Sequence, residues 1–463
     1  MNKTLLIKGG VITVIAIILL VVLASVSGTI GERQHYKSSA KASVAKSWTG
    51  AQTVFGPILV VPYTLKWDSQ EWSENGKTKI VRHHKRNGTR YILPDTTKLQ
   101  ASIATDIRYQ GIYKLPVYSG ELNLSGQFSK ANILEKTNVA LPHEKAQLVF
   151  SQPYFSLAVS DARGINSVPI LNLGKKEFEF KAGSQLTFMD KGIHAQLPLE
   201  VVNALTGVND GVQDLPFSLK LSLRGMDRIQ FFPSALDYQL SLTSPWPHPK
   251  FYGDFLPLSR TVSSEGFDAQ WQVSAFASNI EKNVSACEQG NCKALLAGGF
   301  GVEFIEPVDV YLQSERSLKY GFLFIGLVFV AFFIFEILKK LPIHPVQYGL
   351  VGLAIALFYL LLMSLSEHIN FMLSYLIAAL ACASLISFYL VYVLRHAKTA
   401  GMFAALLVLL YFTLYIIVSA EDFALLMGSL LVFIVLAVVM VATRNINWYE
   451  VGDGFKAEVT QEK

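Results

Sequence analysis

The chain has 463 residues, 51% of them hydrophobic and only 16% charged, with a formal net charge of +5. That length exceeds what one core organises, and that charge density is low for a chain soluble throughout. No dense Lys/Arg block lies outside Lys79–Arg90, which argues against nucleic acid as a partner, and three cysteines are too few for a disulfide scaffold.

Taken in chain order, the first feature is an uncharged apolar run at Gly9–Gly31. Five more crowd the C-terminal part: Tyr320–Phe335, Pro345–Ser366, Ile369–Leu394, Thr399–Ala420 and Phe423–Thr443. A bilayer core about 30 Å thick is crossed by roughly 20 helical residues, so six transmembrane helices are expected. The second run is the shortest. It extends through Glu336 to Leu338, with the carboxylate expected at the interface beside Lys339 and Lys340. A cleaved leader is the rival reading of the first run, with Lys3 and Lys8 as its basic end and Ser25-Val26-Ser27 as the cleavage site. The length of the run favours a retained anchor.

Charge orients the spans. Lys3 and Lys8 precede the first run, Lys339 and Lys340 follow the second, Arg395 and Lys398 follow the fourth, and Arg444 follows the sixth. The opposite turns are acidic, with Glu367 before the fourth run and Glu421-Asp422 before the sixth. Basic flanks stay in the cytoplasm, so both termini are expected there and the central segment outside.

Beyond the first run, Tyr36, Ala40, Val44 and Trp48 recur every four residues, which predicts a helix over Arg33–Trp48 ended by Gly50 and Gly56-Pro57. The period then changes to two. Leu122, Leu124 and Phe128 alternate with polar residues, as do Phe217–Leu223, Tyr238–Leu242 and Phe267–Val273. Such alternation predicts half-buried strands of a large antiparallel β-domain, or two packed β-units with a weak boundary near Asn203–Leu215. Asp68–Arg90 reads as a long exposed hairpin or loop. The expected fold class is an α+β membrane protein: an anchor at 1–31, a β-rich domain with a helical stalk at 32–316, a five-helix bundle at 317–444 and a cytoplasmic tail at 445–463.

Chemistry is harder to find. His143-Glu144 begins a zinc-protease motif, but position 148 is Leu. Ser38–Lys41 and Ser43–Lys46 spell Ser-x-x-Lys without the partner motifs of penicillin-recognising enzymes, and Ser160-Asp161-Ala162 stops short of Ser-Asp-Asn. No Walker A motif or Gly-x-Ser-x-Gly elbow occurs, and no metal site or cofactor is expected. In an oxidising compartment Cys287 and Cys292, which flank a turn-like spacer, form a possible disulfide. Cys382 lies in an apolar run and reads as packing.

Two β-domain motifs stand out. Asp161 and Arg163 sit two residues apart in an expected turn, read either as a fold-internal ion pair or as recognition residues. Pro245, Pro247 and Pro249 alternate around Trp246 and His248, leading to Asp254, and read as a rigid loop or a recognition surface. On the outer face of the bundle, Glu367, His368, Glu421 and Asp422 are interfacial anchors or, on a sharper reading, one polar cluster that binds a cation or docks basic residues of the domain.

These residues carry a resemblance. Gly50-Ala51-Gln52 with Gly56–Pro62, Asp161–Ile165, Trp246–Pro249 through Asp254–Pro257, Phe332–Glu336, His344–Tyr348, Phe358–Leu362, Ser364–His368 and Thr443–Tyr449 form ordered blocks along almost the whole length. In them the chain resembles the CreD family of bacterial inner-membrane, cell-envelope integrity proteins. The resemblance implies a role in envelope stress, colicin tolerance and a β-lactam-responsive regulon. It implies no catalytic residue. The expectation is a non-enzymatic protein whose partners are membrane lipids and an unidentified periplasmic or envelope component. A transporter or lipid-handling protein is the first alternative and a membrane-bound enzyme the second.

Overall fold

The computed structural model describes residues 3–72, 79–142, 146–200, 214–306, 310–339, 343–394, 397–420 and 423–444. Its contacts divide the chain into a helical unit, Met1–Ser38 with Val308–Lys463, and a β unit, Ser39–Pro307.

The β unit holds two sheets. In the first, β14 (Pro249–Gly253), β17 (Phe300–Phe304), β12 (Arg228–Phe231), β1 (Gln52–Trp72), β6 (Tyr154–Val159), β10 (Gly192–Gln196) and β9 (Lys181–Ala182) lie side by side. β2 (Lys79–Ile92) and β5 (Gln147–Phe150) also pair with β1. The second runs β15 (Ser259–Ser263), β16 (Gly266–Ser274), β13 (Asp237–Ser244), β3 (Thr96–Gln110), β4 (Tyr113–Phe128), β11 (Leu215–Met226), β7 (Ile170–Leu173) and β8 (Lys176–Glu179).

The period-two segments are strands. In β11, Phe217, Leu219, Leu221 and Leu223 are buried while Ser218 and Lys220 are exposed, as the pleat demands. One apolar cluster takes residues from both sheets, among them Leu59, Val61 and Phe155 of the first and Leu99, Leu221 and Leu240 of the second. The domain is therefore one two-sheet sandwich. The boundary expected near Asn203–Leu215 falls mostly outside the described residues.

The expected all-antiparallel pairing needs correction. β1 pairs with β12 and β3 with β13 in parallel. The strands of each pair are far apart in the chain and joined through intervening elements, the connection that parallel neighbours require.

β1 is covered on both faces, as its neighbour β6 is. Phe55 and Ile58–Val61 are all 0–1% exposed. Leu59 and Val61 face the main cluster, whereas Phe55, Ile58 and Val60 face a second one, closed by Ile280, Val284 and Cys287 of a short helix, Ile280–Glu288, and by Leu295. A strand covered on both faces reads as a continuous apolar run, and Val54–Val61 is such a run.

The helical unit begins with α1 (Lys3–Ser47), whose last turns belong to the β unit. The shorter helices of the β unit are α2 (Lys130–Thr137) and α3 (Ile280–Glu288). Then come α4 (Val310–Lys319), α5 (Gly321–Lys339), α6 (Pro345–Ser366), α7 (Phe371–Leu394), α8 (Ala397–Ser419) and α9 (Ala424–Thr443). Four described helical segments are long and apolar enough to cross a membrane: Gly9–Ser47, Pro345–Ser366, Phe371–Val393 and Ala400–Ser419. Val310–Lys319 with Gly321–Ile334, bent by 41°, makes a fifth if the pair is one span, and Leu426–Val441 is a shorter apolar helix.

Leu19, Leu23, Val26 and Ile30 form the buried stripe of α1, at the three- and four-residue spacing of a helix face. Gly352 of α6 sits where a Cβ would collide with Leu19, so the small residue sets how closely the two helices approach. The bundle interior is aromatic: Phe358 lies 5.3 Å from Tyr375 and 4.8 Å from Tyr411, and the Tyr375 hydroxyl donates to the Tyr411 carbonyl at 2.7 Å.

Leu221 is fully buried between the sheets. Leu221→Ala is expected to lower stability by about 2–5 kcal/mol, the ordinary cost of such a cavity, read from fluorescence-monitored unfolding of the full chain in detergent.

Candidate functional site

The Asp161–Arg163 motif sits at the junction of α1 with β1. Asp161 ends the strand β6 segment and caps a 3-10 turn, Ala162–Gly164, by accepting from the Arg163 amide. The Arg163 guanidinium lies along the Asp161 carboxylate, with Nη2 2.6 Å from Oδ2 and Nε 3.0 Å from Oδ1. Its Nη1 donates to the Lys46 carbonyl at 2.6 Å. The last carbonyls of a helix have no partner within it, and a cation there also suits the helix dipole. Arg163 is therefore the C-terminal cap of α1.

Gln52, fully buried, ties the other side. Its Nε2 donates to the carbonyls of Asp161 and Arg224, each at 3.0 Å, and its Oε1 accepts from the Asp161 amide. The Ser160 hydroxyl donates to the Ala51 carbonyl and accepts from the Thr53 amide, both at 2.9 Å. Gly164 is required because a Cβ would collide with Gln52 and the Arg224 carbonyl. Thus Gly50-Ala51-Gln52 and Asp161–Ile165, distant in the chain, form one clasp. Beside it the guanidinium groups of Arg108 and Arg224 both lie over the Trp48 ring, 4.7 and 4.5 Å from its centre. Lys41 lies 3.0 Å from Asp227.

The two aspartates of this junction titrate in opposite directions. Arg163 holds the Asp161 carboxyl below its usual range, chiefly through the side-chain hydrogen bond. Burial pushes Asp227 up, and this outweighs the attraction of Lys41. Both Ser-x-x-Lys segments lie on α1. Lys41 is engaged with Asp227, and Ser43 accepts from Gln110 at 3.1 Å. His143 and Glu144 lie outside the described residues.

Trp246 is half-buried against the core and its indole N–H donates to the Ile305 carbonyl at 3.0 Å, so its role is structural. His248, just before β14, and Asp254, just after it, are exposed, and the loop after β14 continues to Leu256 and Leu258, 66% and 79% exposed. Among the described residues, no hydrogen bond or ion pair joins this loop to the Asp161–Arg163 turn. Cys287 and Cys292 are joined in a disulfide at the end of α3, and Cys382 is free and buried.

In the helical unit Glu367, at the end of α6, pairs with Arg33 of α1 at 3.4 Å and accepts from the Tyr311 hydroxyl at 3.3 Å. Gln34 donates to Glu315, which Lys319 also contacts at 3.0 Å. His368 is exposed, and Glu421 and Asp422 lie outside the described residues. The expectation for Glu336 is overturned. Expected within reach of water, it is only 2% exposed and accepts from the Tyr348 hydroxyl at 2.8 Å, because α5 carries it against the start of α6.

Sequence reasoning missed a polar crevice of about 200 Å³ between β2, α2 and α3. Arg90 Nη1 lies 2.6 Å from Glu288, which also accepts from the Tyr91 amide, and Lys136 lies 3.2 Å from Glu281. These partners are 198 and 145 residues apart, so no local motif signals them. It missed also an apolar groove of about 590 Å³ bounded by α5, α8 and α9, in which Thr413 is the one polar residue among the described lining residues. Among the described residues, no group of three or more His, Cys, Asp or Glu is placed to hold a metal ion.

Asp161 has a lowered folded pKa, so its stabilisation is present above the unfolded value of about 3.9 and is lost as pH falls through the folded value. Asp227 has a raised one, so its penalty grows as pH rises through that value. At pH 8, Asp161→Asn is expected to melt below wild type, with faster hydrogen exchange in the last turn of α1. Asp227→Asn is expected to melt at or above wild type, and thermal scans of both variants from pH 3 to 8 check the opposite signs.

The model of the family described as inner membrane protein CreD matches residues 4–449. The inner membrane protein CreD of Escherichia coli (strain K12) is 33% identical over 438 residues, covering 94% of this chain and 91% of that protein. The clasp, the Trp246 loop and the Glu336 and Glu367 contacts all lie within the matched span. On this match over nearly its whole length, the chain belongs to the CreD family of inner membrane proteins.

Proposed function

We propose that the chain is a non-enzymatic inner-membrane protein that supports cell-envelope integrity, with its β unit in the periplasm recognising an envelope component. The observation that carries this reading is where the distinctive residues go. Asp161, Arg163, Trp246 and Glu367 are engaged in contacts that hold the fold. What the β unit offers outward is a large sandwich surface with exposed loops, the form of a recognition module. Tolerance of colicins and of β-lactam stress is the process in which such a protein would act. The basic flanks at Lys3, Lys8, Lys339, Lys340, Lys398 and Arg444 support cytoplasmic termini.

Lipid handling is a second reading, favoured by the groove between α5, α8 and α9. Its lining is almost wholly apolar, which suits an acyl chain and offers no polar path for an ion. An enzyme reading rests on Asp161, His248, Glu367 and His368. Of these, His248 and His368 are exposed, and the other two carry structural partners.

A photo-crosslinking amino acid at His248 or Leu256 of the full chain, in intact cells, is expected to capture a specific envelope component. A cysteine at Val262 is expected to react with a membrane-impermeant maleimide applied outside the inner membrane. Capture of nothing at either position, or labelling only after the membrane is broken, would overturn the recognition reading or the orientation respectively.

A further inference from the structure

We propose that the two-stranded arm formed by the outer parts of β1 and β2 docks on an anionic phospholipid surface. The strands pair without interruption from Leu59↔Ile92 to Trp72↔Lys79. β5 pairs with β1 only from Tyr63 to Lys66. From Trp67 outward the described ribbon has no third strand. A two-stranded ribbon is marginal by itself.

One face of the arm is exposed along its length. Directly opposite pairs on it are Lys66↔Lys85, Asp68↔His83, Gln70↔Val81 and Trp72↔Lys79. Lys66 and Lys85 set like charges against each other, an arrangement that destabilises a ribbon unless an anion lies over it. Asp68, the nearest acid on that face, is engaged 2.6 Å from His83. At the outer end Lys79 lies 5.3 Å over the ring of Trp72, which is 65% exposed, and Val81 is 47% exposed. The other face carries exposed Arg82 and Arg86 on either side of the stacked Trp67–His84 pair.

Charge identifies the partner as an anion. Residues 66–86 hold six Lys/Arg and three Asp/Glu, against a net +5 for the whole chain. The position of the aromatics favours a bilayer. A groove for a linear polyanion spaces stacking rings along its length. Here the more exposed ring, Trp72, stands at the outer end beside lysine and valine, the combination that settles at headgroup level. The β unit is also continued on both sides by apolar helical segments, so a bilayer is always within reach of the chain. This inference rests on the bilayer setting and is independent of which component the β unit recognises.

The test uses the full chain held in phosphatidylcholine nanodiscs. Flotation with added vesicles is compared for phosphatidylcholine alone and with 30% phosphatidylglycerol. In a second arm the nanodiscs themselves contain phosphatidylglycerol and brominated lipid, and quenching is read as wild type minus Trp72→Phe. Flotation or quenching that requires phosphatidylglycerol supports the proposal. Lys66→Gln/Lys79→Gln/Lys85→Gln is expected to weaken that response on the order of 100-fold at low ionic strength, and the matching Lys→Arg triple to retain it. The Gln triple also removes a like-charge pair, so an unchanged or raised melting temperature separates lost docking from misfolding. A response independent of phosphatidylglycerol or of the three lysines overturns the proposal. So does lysine-dependent binding of dextran sulfate without any response to vesicles, which would make the partner a soluble polyanion. None of these outcomes bears on the crosslinking experiment at His248 and Leu256.

Discussion

The β unit depends on β1 being buried on both faces. Phe55 and Ile58–Val61 lie between the inter-sheet core and the layer closed by α3. The same strand pairs with β2, β5, β6 and β12, so four other strands take their positions from it. A slip of one residue would exchange its two sets of side chains between two differently shaped apolar layers. The clasp lies where β1 begins, and the arm is the same strand continued past the end of its cover.

At the clasp, polar groups gather where a helix ends inside a folded unit. The terminal carbonyls of α1 need donors, and Arg163 supplies them while Asp161 holds the guanidinium in place. The Asp161 and Asp227 carboxylates show how one residue type is set by its surroundings. Asp161 has a guanidinium fork hydrogen-bonded to it, and its charged form is favoured. Asp227 has one lysine and a desolvated site, and desolvation wins. Trp48 adds a third restraint, because its ring takes guanidinium groups from two separate strands, Arg108 of β3 and Arg224 of β11.

Membership of the CreD family and the geometry of the clasp together change how the distinctive motifs are read. Residues that look like a site in isolation, an Asp two places from an Arg or a Trp among prolines, are the ones that fix local geometry. The exposed surfaces are less motif-like: the Asp254–Leu258 segment after β14, the basic arm and the apolar groove beside α9. Recognition through broad surfaces needs charge and exposure more than a set spacing of catalytic groups.

Sequence periodicity alone determined the element types, because a buried face repeats every two residues in a strand and every three or four in a helix. It placed β4, β11, β13 and β16, the helical stalk continuing to Ser47, and the apolar helices. Asp68–Arg90, read as an exposed hairpin or loop from its polarity, holds the paired outer parts of β1 and β2 among its described residues. Tertiary structure decided what depends on residues distant in the chain. It put the Arg163 guanidinium on the carbonyls of α1, paired β1 with β12 and β3 with β13 in parallel, and joined Arg90 to Glu288. It also buried Glu336 under the Tyr348 hydroxyl, although charge and position at the end of an apolar run pointed to the interface. Local pattern records which face of an element is apolar, but the partner that a polar group finds is set by which elements pack beside it.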